Sequence, residues 1–332
     1  MRRTSHVLVC LAVMALGFVV PGMAPADELV ERGCLRNSPD GPCTNQVVFE
    51  VDNPQEGVPR TIVGNRYDPD CIRASTVVLL QHGLSYHKEV WDFPGYSVAQ
   101  ALAEAGYAVV AIDRLGYGES KLDNGYNVSF EAYGHMTDQI VTQLRSEFSH
   151  VVLGGHSAGA GVTEFTQGLF GSADAIMALG WHHRPSDQIG KDFLTGDVPR
   201  SFQDDYEYFL GTPEHRAWMF YEADADPAVV EADTAAANLT PSGEIQTIGK
   251  QPSRTVVANV KVPVFIQLAD KDRLFEPQYG DLHAAEFASA PSVTVDMVPG
   301  AGHTFMLAPQ GPAGTARMVD WLRSRPEAPA CS

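Results

Sequence analysis

Basic residues are scarce in this 332-residue chain. It has 23 Lys and Arg against 41 Asp and Glu, which gives a formal net charge of −18. Such a charge repels nucleic acid and anionic lipid headgroups, so neither is an expected partner. Charged residues make up only 19% of the chain and hydrophobic residues 44%, and no internal repeat or low-complexity tract is found. This composition excludes a disordered chain, a coiled coil and a repeat array, and it favours a globular protein with a sizeable core.

Long apolar runs are also lacking, apart from one at the N-terminus. Arg2 and Arg3 precede an apolar run over residues 7–20, and Ala-Pro-Ala at residues 24–26 has the small-residue pattern of a signal-peptidase site. The run is shorter than the about 20 residues that a membrane span needs. We therefore expect residues 1–26 to be a secretory signal that is cleaved near Ala26. The mature protein is then secreted, without a stable membrane anchor.

Cysteine is used sparingly. The predicted signal contains Cys10, which leaves Cys34, Cys43, Cys71 and Cys331 for the mature chain. An even number of cysteines in an oxidising compartment favours two disulfides, and four cysteines allow three pairings. The short separation of Cys34 and Cys43 suggests a local loop, in which case the other two tie the tail to the body. None of the spacings is typical of zinc ribbons or thioredoxins, so all four are expected to be structural.

Short β-rich runs alternate with helical stretches from about residue 46 onward. The predicted strands are residues 46–51, 61–67, 76–81, 107–113, 150–154, 175–180, 262–269 and 292–298. Helices are predicted over residues 96–105, 133–148 and 158–170. This alternation predicts an α/β fold, with a mostly parallel sheet and helices on both faces. The aromatic-rich stretch 185–255 has no predicted buried strand, and we expect it to be a helical cap inserted into a core of residues 27–184 and 256–332.

A serine flanked by glycines follows one of the buried strands. Residues 155–159 read Gly-His-Ser-Ala-Gly and open the next helix. A serine hydroxyl is a weak nucleophile, so it must be presented to a base on a tight strand-to-helix turn, for which the glycines leave room. Three other motifs lie at the ends of predicted strands. They are residues 82–84 (His-Gly-Leu), 113–120 (Asp-Arg-Leu-Gly-Tyr-Gly-Glu-Ser) and 299–303 (Pro-Gly-Ala-Gly-His).

In this order, the four motifs resemble those of the α/β-hydrolase superfamily, from about Thr76 to the C-terminus. The resemblance implies an α/β-hydrolase fold with a cap and an activity like that of secreted serine esterases and lipases. It makes Ser157 the nucleophile and His303 its general base. The acid of the triad is expected after the strand that follows the cap. Asp272 is our prediction there, and Asp270 is the alternative.

The same resemblance implies an oxyanion hole formed by the backbone N–H groups of Leu84 and Ala158. Ala158 also begins a helix, whose N-terminal dipole favours a developing negative charge. Further residues near the motifs are candidates for lining the pocket: His82, His156, Trp181 and His182. Adjacent side chains on a strand point to opposite faces, so the pair His182 and His183 does not predict a metal site. We expect no cofactor and no metal.

The expected substrate is a small-molecule carboxylic ester or lactone of apolar or aromatic character, because the predicted cap is rich in aromatic residues. A serine nucleophile argues against the dehalogenases and epoxide hydrolases of the superfamily, which use aspartate. Two alternatives stay open. A secreted proline-type aminopeptidase needs acidic cap residues for the substrate's amino terminus, and Glu207, Glu214, Glu222 and Asp224 are candidates. A non-catalytic small-molecule binding protein would keep the fold without turnover.

Overall fold

The computed structural model describes residues 35–36, 43–70, 74–209 and 212–325. The predicted signal, residues 1–26, lies outside these ranges, as do Cys34, Cys71 and Cys331. Cleavage, secretion and disulfide pairing therefore stay predictions. Within the described ranges, no helix combines the length and apolar character required to cross a bilayer.

A twisted central sheet organises the described chain. The strands are β1 Leu35–Arg36, β2 Cys43–Asn53, β3 Val58–Asp68, β4 Thr76–Gln81, β5 Ala108–Ile112, β6 His150–His156, β7 Ala175–Leu179, β8 Tyr206–Glu207, β9 Thr240–Pro241, β10 Val264–Ala269 and β11 Val293–Val298. Within the described ranges, the main sheet has nine strands in the order β1-β2-β3-β5-β4-β6-β7-β10-β11. The neighbours β1-β2, β2-β3 and β3-β5 pair antiparallel. The five pairs that follow, from β5-β4 to β10-β11, are parallel. The predicted mostly parallel sheet is confirmed.

The central strands are apolar because the sheet is covered on both sides. Every residue of β4, β5, β7 and β10 is buried. A strand that is buried on both faces has a continuous apolar sequence instead of an alternating one. The edge strand β11 is only partly buried. The core therefore lies along the middle of the parallel part of the sheet.

Helices follow most of the strands. They are α1 Val98–Glu104, α2 Phe130–Leu144, α3 Ala158–Phe170, α4 Asp187–Asp192, α5 Val198–Arg200, α6 Pro213–Phe220, α7 Pro227–Ala235, α8 Ser242–Ile248, α9 Gly280–Ala284 and α10 Gly311–Arg323. Helix α1 packs against α10, and α2 packs against α3. The connection through α1 moves along the sheet in the opposite direction to those through α2 and α3. Because such crossovers are right-handed, the two helix pairs lie on opposite faces.

The chain leaves the main sheet between β7 and β10. Within this stretch, segment 185–255 contains α4 to α8 and a short antiparallel pairing of β8 with β9. No sequence pattern predicted this pairing. The boundaries of the segment as a separate cap stay a prediction.

The carboxyl ends of the parallel strands all meet at one edge of the sheet. The residues that follow β4, β5, β6, β7, β10 and β11 there are His82, Asp113, Ser157, Gly180, Asp270 and Pro299. In open α/β sheets this edge is where ligands bind. The fold thus collects the four sequence motifs at one place.

Candidate active site

Ser157 lies on the turn between β6 and α3. Its backbone has φ 54° and ψ −124°, a conformation that is strained for any residue with a Cβ atom. The chain comes so close to itself here that a Cβ on Gly155 would lie 2.2 Å from the Gly159 carbonyl oxygen. A Cβ on Gly159 would lie 2.4 Å from the Gln81 carbonyl oxygen. Both flanking glycines are therefore required by close backbone packing around the serine.

A buried hydrogen bond joins His303 to Asp272. The imidazole Nδ1 lies 2.8 Å from Asp272 Oδ2. The other carboxylate oxygen, Oδ1, accepts the backbone N–H groups of Leu274 and Phe275 at 2.7 and 3.0 Å. These contacts fix the orientation of the carboxylate and assign the proton of a neutral imidazole to Nδ1. The lone pair of His303 is then on Nε2, as a general base requires.

Asp270, the alternative acid, makes a different contact. Its Oδ1 accepts the N–H of Gly300 at 2.6 Å, and Gly300 has φ 73° in the turn ahead of His303. The side chain is 34% exposed and lies near Lys271. Asp270 therefore stabilises this turn, whereas Asp272 contacts the imidazole itself.

The His303 ring lies next to the turn that carries the serine. Its centroid is 4.7 Å from that of His156, the residue before Ser157. His156 Nε2 donates to the backbone oxygen of His303 at 2.9 Å, which ties the two turns together. His303 Nε2 is buried and, among the described residues, makes no hydrogen bond. Ser157 Oγ therefore makes no hydrogen bond to this nitrogen in the present conformation. Catalytic hydrogen bonds commonly form only when substrate binds.

The loop of residues 82–84 passes directly against the serine turn. A Cβ on Gly83 would lie 2.9 Å from the Cβ of Ser157, so glycine allows the close approach. Leu84 and Ser157 line the same cavity. Ala158 is the first residue of α3, and the first N–H groups of a helix have no acceptor within the helix. Both predicted oxyanion donors therefore belong to segments that contact the serine.

The family is decided by a comparison of sequences. A family model described as "Alpha/beta hydrolase family" matches residues 77–316, which is most of the chain. The chain belongs to the alpha/beta hydrolase family. The membership predicted from the four motifs is confirmed. No curated protein sequence matches the chain.

Solved structures show the same fold at low sequence identity. A thermophilic esterase from Thermogutta terrifontis, solved with malate bound, is 17% identical and has a TM-score of 0.66 over 83% of this chain and 98% of its own. The esterase EaEST from Exiguobacterium antarcticum is 16% identical, with a TM-score of 0.66 over 84% and 100%. An enol-lactonase from Burkholderia xenovorans LB400 is 14% identical, with a TM-score of 0.63 over 80% and 97%. At such identities the likeness shows the fold alone.

In this alpha/beta hydrolase, the predicted pocket histidines are hydrogen-bonded within loops. His82 Nδ1 donates to the carbonyl of Gly83 at 2.8 Å, and its Nε2 accepts the Arg114 N–H at 3.1 Å. His182 Nε2 donates to the carbonyl of Glu276 at 3.0 Å. Burial lowers the pKa of His182 to about 4 and holds the pKa values of His82 and His156 well below their usual range. With such low pKa values, each of the three is a neutral hydrogen-bonding group. None of them lines the cavity at Ser157.

An apolar cavity of about 220 Å³ opens at Ser157. Its walls come from the sheet edge and from segment 185–255, and they include Trp181, Ile189, Phe193, Phe209, Leu274 and Phe275. Trp181 thus lies where the sequence placed a pocket residue. In the described part of the chain, no acidic side chain lines this cavity. A cavity of about 150 Å³ is enough to hold benzene, so this one is sized for a small acyl or aryl group.

A buried arginine that no sequence pattern predicted holds the backbone directly after Leu84. Ser85, directly after Leu84, has φ 58°. Its Oγ accepts a hydrogen bond from Arg216 Nε at 2.9 Å, and its N–H donates to Thr240 Oγ1 at 3.2 Å. Arg216 also pairs with Asp233 at 2.7 Å, and the guanidinium is only 1% exposed. Helix α6 therefore braces the backbone that follows the predicted oxyanion donor.

A second buried ion pair contacts the loop of residues 82–84. Arg114 Nη1 lies 2.5 Å from Glu244 Oε1 on helix α8, and Arg114 Nη2 donates to the Gly83 carbonyl at 3.2 Å. The Tyr117 hydroxyl donates to Glu244 Oε2 at 2.6 Å. The partners in this pair are 130 positions apart in the chain, so no local pattern marks them. Arg114 lies in the predicted Asp-Arg loop, and that motif was the one available signal.

Proposed function

We propose that this protein is a secreted serine hydrolase that cleaves carboxylic esters through an acyl-enzyme on Ser157. The observation that carries the proposal is the buried bond between Asp272 and His303, which lies beside the strained serine turn. An imidazole oriented by a carboxylate next to a serine on such a turn is the arrangement of nucleophilic acyl transfer. Secretion is supported by the N-terminal charge and apolar pattern.

The reaction has two halves, acylation and deacylation of Ser157, and both use the same catalytic groups. Ser157 Oγ attacks the ester carbonyl while His303 Nε2 takes its proton. His303 then gives that proton to the leaving alcohol, which leaves the acyl group on the serine. Water then attacks the acyl carbonyl while the same nitrogen takes its proton. As the bond from the acyl carbon to Ser157 Oγ breaks, His303 returns this proton to Oγ and the acid leaves. Asp272 holds the ring and stabilises the imidazolium that forms in both halves.

The oxyanion that forms in each half needs donors already in place. The N–H groups of Leu84 and Ala158 are the candidates, and one such donor contributes about 3 to 4 kcal/mol to the transition state. The contacts of Arg216 and Arg114 with this loop keep its backbone fixed before the charge appears. This preorganisation is what makes a backbone donor effective.

An ester with a small apolar or aromatic acyl group is the substrate class that the cavity supports. Its walls are apolar and its volume is about 220 Å³. Several structural neighbours are described as esterases, one as an enol-lactonase and one as a monoacylglycerol lipase, which agrees with ester or lactone chemistry.

The aminopeptidase alternative is disfavoured by the positions of the cap acids. Glu207 is buried against Arg200, and Glu222 pairs with Arg273. None of the four candidate acids lines the cavity at Ser157. The site thus has no described carboxylate to hold a substrate's amino terminus. A binding protein without turnover is disfavoured by the Asp272–His303 bond, which simple binding does not need.

A panel of chromogenic substrates tests this proposal. We expect turnover of p-nitrophenyl acetate, butyrate and benzoate, a fall for acyl chains that exceed the cavity, and no turnover of prolyl or other amino-acyl anilides. The matched control is Ser157→Ala, which should be inactive on every member of the panel. Activity on the anilides alone would replace the ester assignment by a peptidase. No activity on any member would favour the binding protein.

A further inference from the structure

Two histidines and two glutamates form a buried cluster outside the active site. Glu164 comes from helix α3, His183 follows β7, and His283 and Glu286 come from α9 and the turn after it. Glu164 and His283 are fully buried, and His183 is 2% exposed. The Glu286 side chain is 16% exposed. Such a concentration of ionisable groups in the interior needs a specific compensation of charge.

The two imidazole rings face the same two carboxylates. Glu286 Oε2 lies 2.6 Å from His183 Nδ1 and 3.2 Å from His283 Nδ1. On the far side of each ring, His283 Nε2 lies 2.8 Å from Glu164 Oε1 and His183 Nε2 lies 3.1 Å from Glu164 Oε2. His183 Nε2 is also 2.8 Å from Ser253 Oγ. Acceptors for an Nε2–H are therefore available to both rings.

With the proton of each ring on Nε2, both Nδ1 lone pairs are directed at Glu286 Oε2. Both Nδ1 atoms and Glu286 Oε2 are then electron-pair donors at close range. Such atoms stay this close only with a proton or a metal cation between them. A carboxylate behind the imidazole is also the usual partner of a metal-bound histidine, because it fixes the tautomer and the ring orientation.

We propose that this cluster is a binding site for a divalent transition-metal ion, with His183 Nδ1, His283 Nδ1 and a Glu286 carboxylate oxygen as ligands. One possible ligand atom from each of the three residues lies within 4.8 Å of the other two. Zinc bonds of about 2.0 to 2.2 Å place such atoms roughly 3.4 Å apart in a tetrahedral site, so small side-chain shifts suffice. Two imidazoles and one carboxylate suit zinc, whereas calcium and magnesium prefer oxygen ligands alone.

The surroundings orient the third ligand. Arg184 Nη2 lies 2.9 Å from Glu286 Oε1, and Arg254 Nε lies 3.9 Å from the same oxygen. These guanidinium groups hold the oxygen that faces away from the histidines, which leaves Oε2 directed at the two rings. The adjacent residues His182 and His183 alone do not predict a metal site, because neighbouring side chains on a strand point to opposite faces. The structure adds His283 and Glu286 from distant positions.

The position of the cluster assigns the metal a structural role. His183 and Arg184 immediately precede segment 185–255, and Ser253 and Arg254 lie at its end. Glu164 belongs to the helix that begins after Ser157. A metal ion would thus fasten both ends of the segment to the core. None of its ligands lines the cavity at Ser157, so the ion is not expected to take part in acyl transfer.

Zinc titration of the chelator-treated, full mature protein tests the proposal without reference to esterase activity. We expect one Zn²⁺ per chain, measured by competition with a chromogenic chelator, and a rise in Tm on zinc addition. Both Glu286→Gln and His283→Gln should weaken binding at least tenfold. The matched control is His150→Gln, which removes a histidine that is 39% exposed on strand β6.

Two results would overturn the proposal. One is the absence of stoichiometric zinc in the wild-type protein. Protons on the imidazoles, and not a metal ion, would then join the two rings to Glu286. The other is zinc binding that Glu286→Gln leaves unchanged or that His150→Gln removes, which would indicate a surface site. If His283→Gln fails to fold by circular dichroism, Glu286→Gln decides, because it keeps the shape of the side chain.

Discussion

At the scale of single residues, the serine turn shows how far a motif determines geometry. The sequence predicted a tight turn at Ser157, and the structure gives it φ 54° with glycines packed against the neighbouring backbone. The motif predicts this well because glycine is the one residue that such close approaches allow. The serine motif says nothing about the acid of the triad. Asp272 was predicted from its place after the strand that follows the cap, with Asp270 as the alternative, and their different contacts with His303 and Gly300 distinguish the two.

Substitution of the two aspartates tests their different contacts. Asp272→Asn should lower kcat for ester hydrolysis by about 10⁴-fold, because an amide no longer holds the imidazole in the required tautomer or stabilises its charge. The matched change Asp270→Asn should leave kcat close to the wild-type value, since that side chain contacts the Gly300 turn and Lys271 and not the imidazole. Steady-state kinetics on one p-nitrophenyl ester measures both. A larger loss for the Asp270 variant would reverse the assignment.

At the scale of elements, the local sequence pattern predicted the strands of the main sheet better than the pairings and contacts in the segments that connect them. Strand β4 was placed at its observed bounds, because a fully buried strand is a continuous apolar run. The start of α3 was predicted as well, from the glycine-flanked serine. The pairing of β8 with β9 was missed because each strand has only two residues, too few for any periodicity. Arg216 and Glu244 were missed because their partners lie on other elements, far away in the chain.

Helix α6 braces the backbone after Leu84, the proposed oxyanion donor, and this contact gives a prediction about catalysis. Arg216→Lys keeps the charge but not the planar group that serves Ser85 and Asp233 together. We expect kcat to fall about tenfold, or about 1.4 kcal/mol, with little change in KM, because the loop acts on charge that exists only in the transition state.

The control for this prediction is Arg145→Lys, at a surface position outside segment 185–255 where the arginine side chain is 35% exposed. It should leave both constants unchanged. A rise in KM at constant kcat in Arg216→Lys would show that the arginine acts on substrate binding and not on the proposed oxyanion donors.

At the scale of the whole molecule, composition predicted the class of protein, and the order of motifs predicted its family. The family match over residues 77–316 agrees with both. Compartment and disulfides depend on residues that the structure does not describe, and they are tested separately. The intact secreted protein should begin near residue 27, and its mass should be about 4 Da below that of the fully reduced chain. Free thiols in the folded protein, or a retained N-terminus, would contradict these expectations.

Covalent labelling by a fluorophosphonate tests most directly whether Ser157 is an activated nucleophile. Peptide mass spectrometry of the labelled protein should find one phosphonyl adduct, on Ser157. Labelling should disappear in Ser157→Ala and become far slower in His303→Ala, with both variants folded by circular dichroism. A folded wild-type protein that takes up no probe, or that carries it on another residue, would contradict the proposed chemistry.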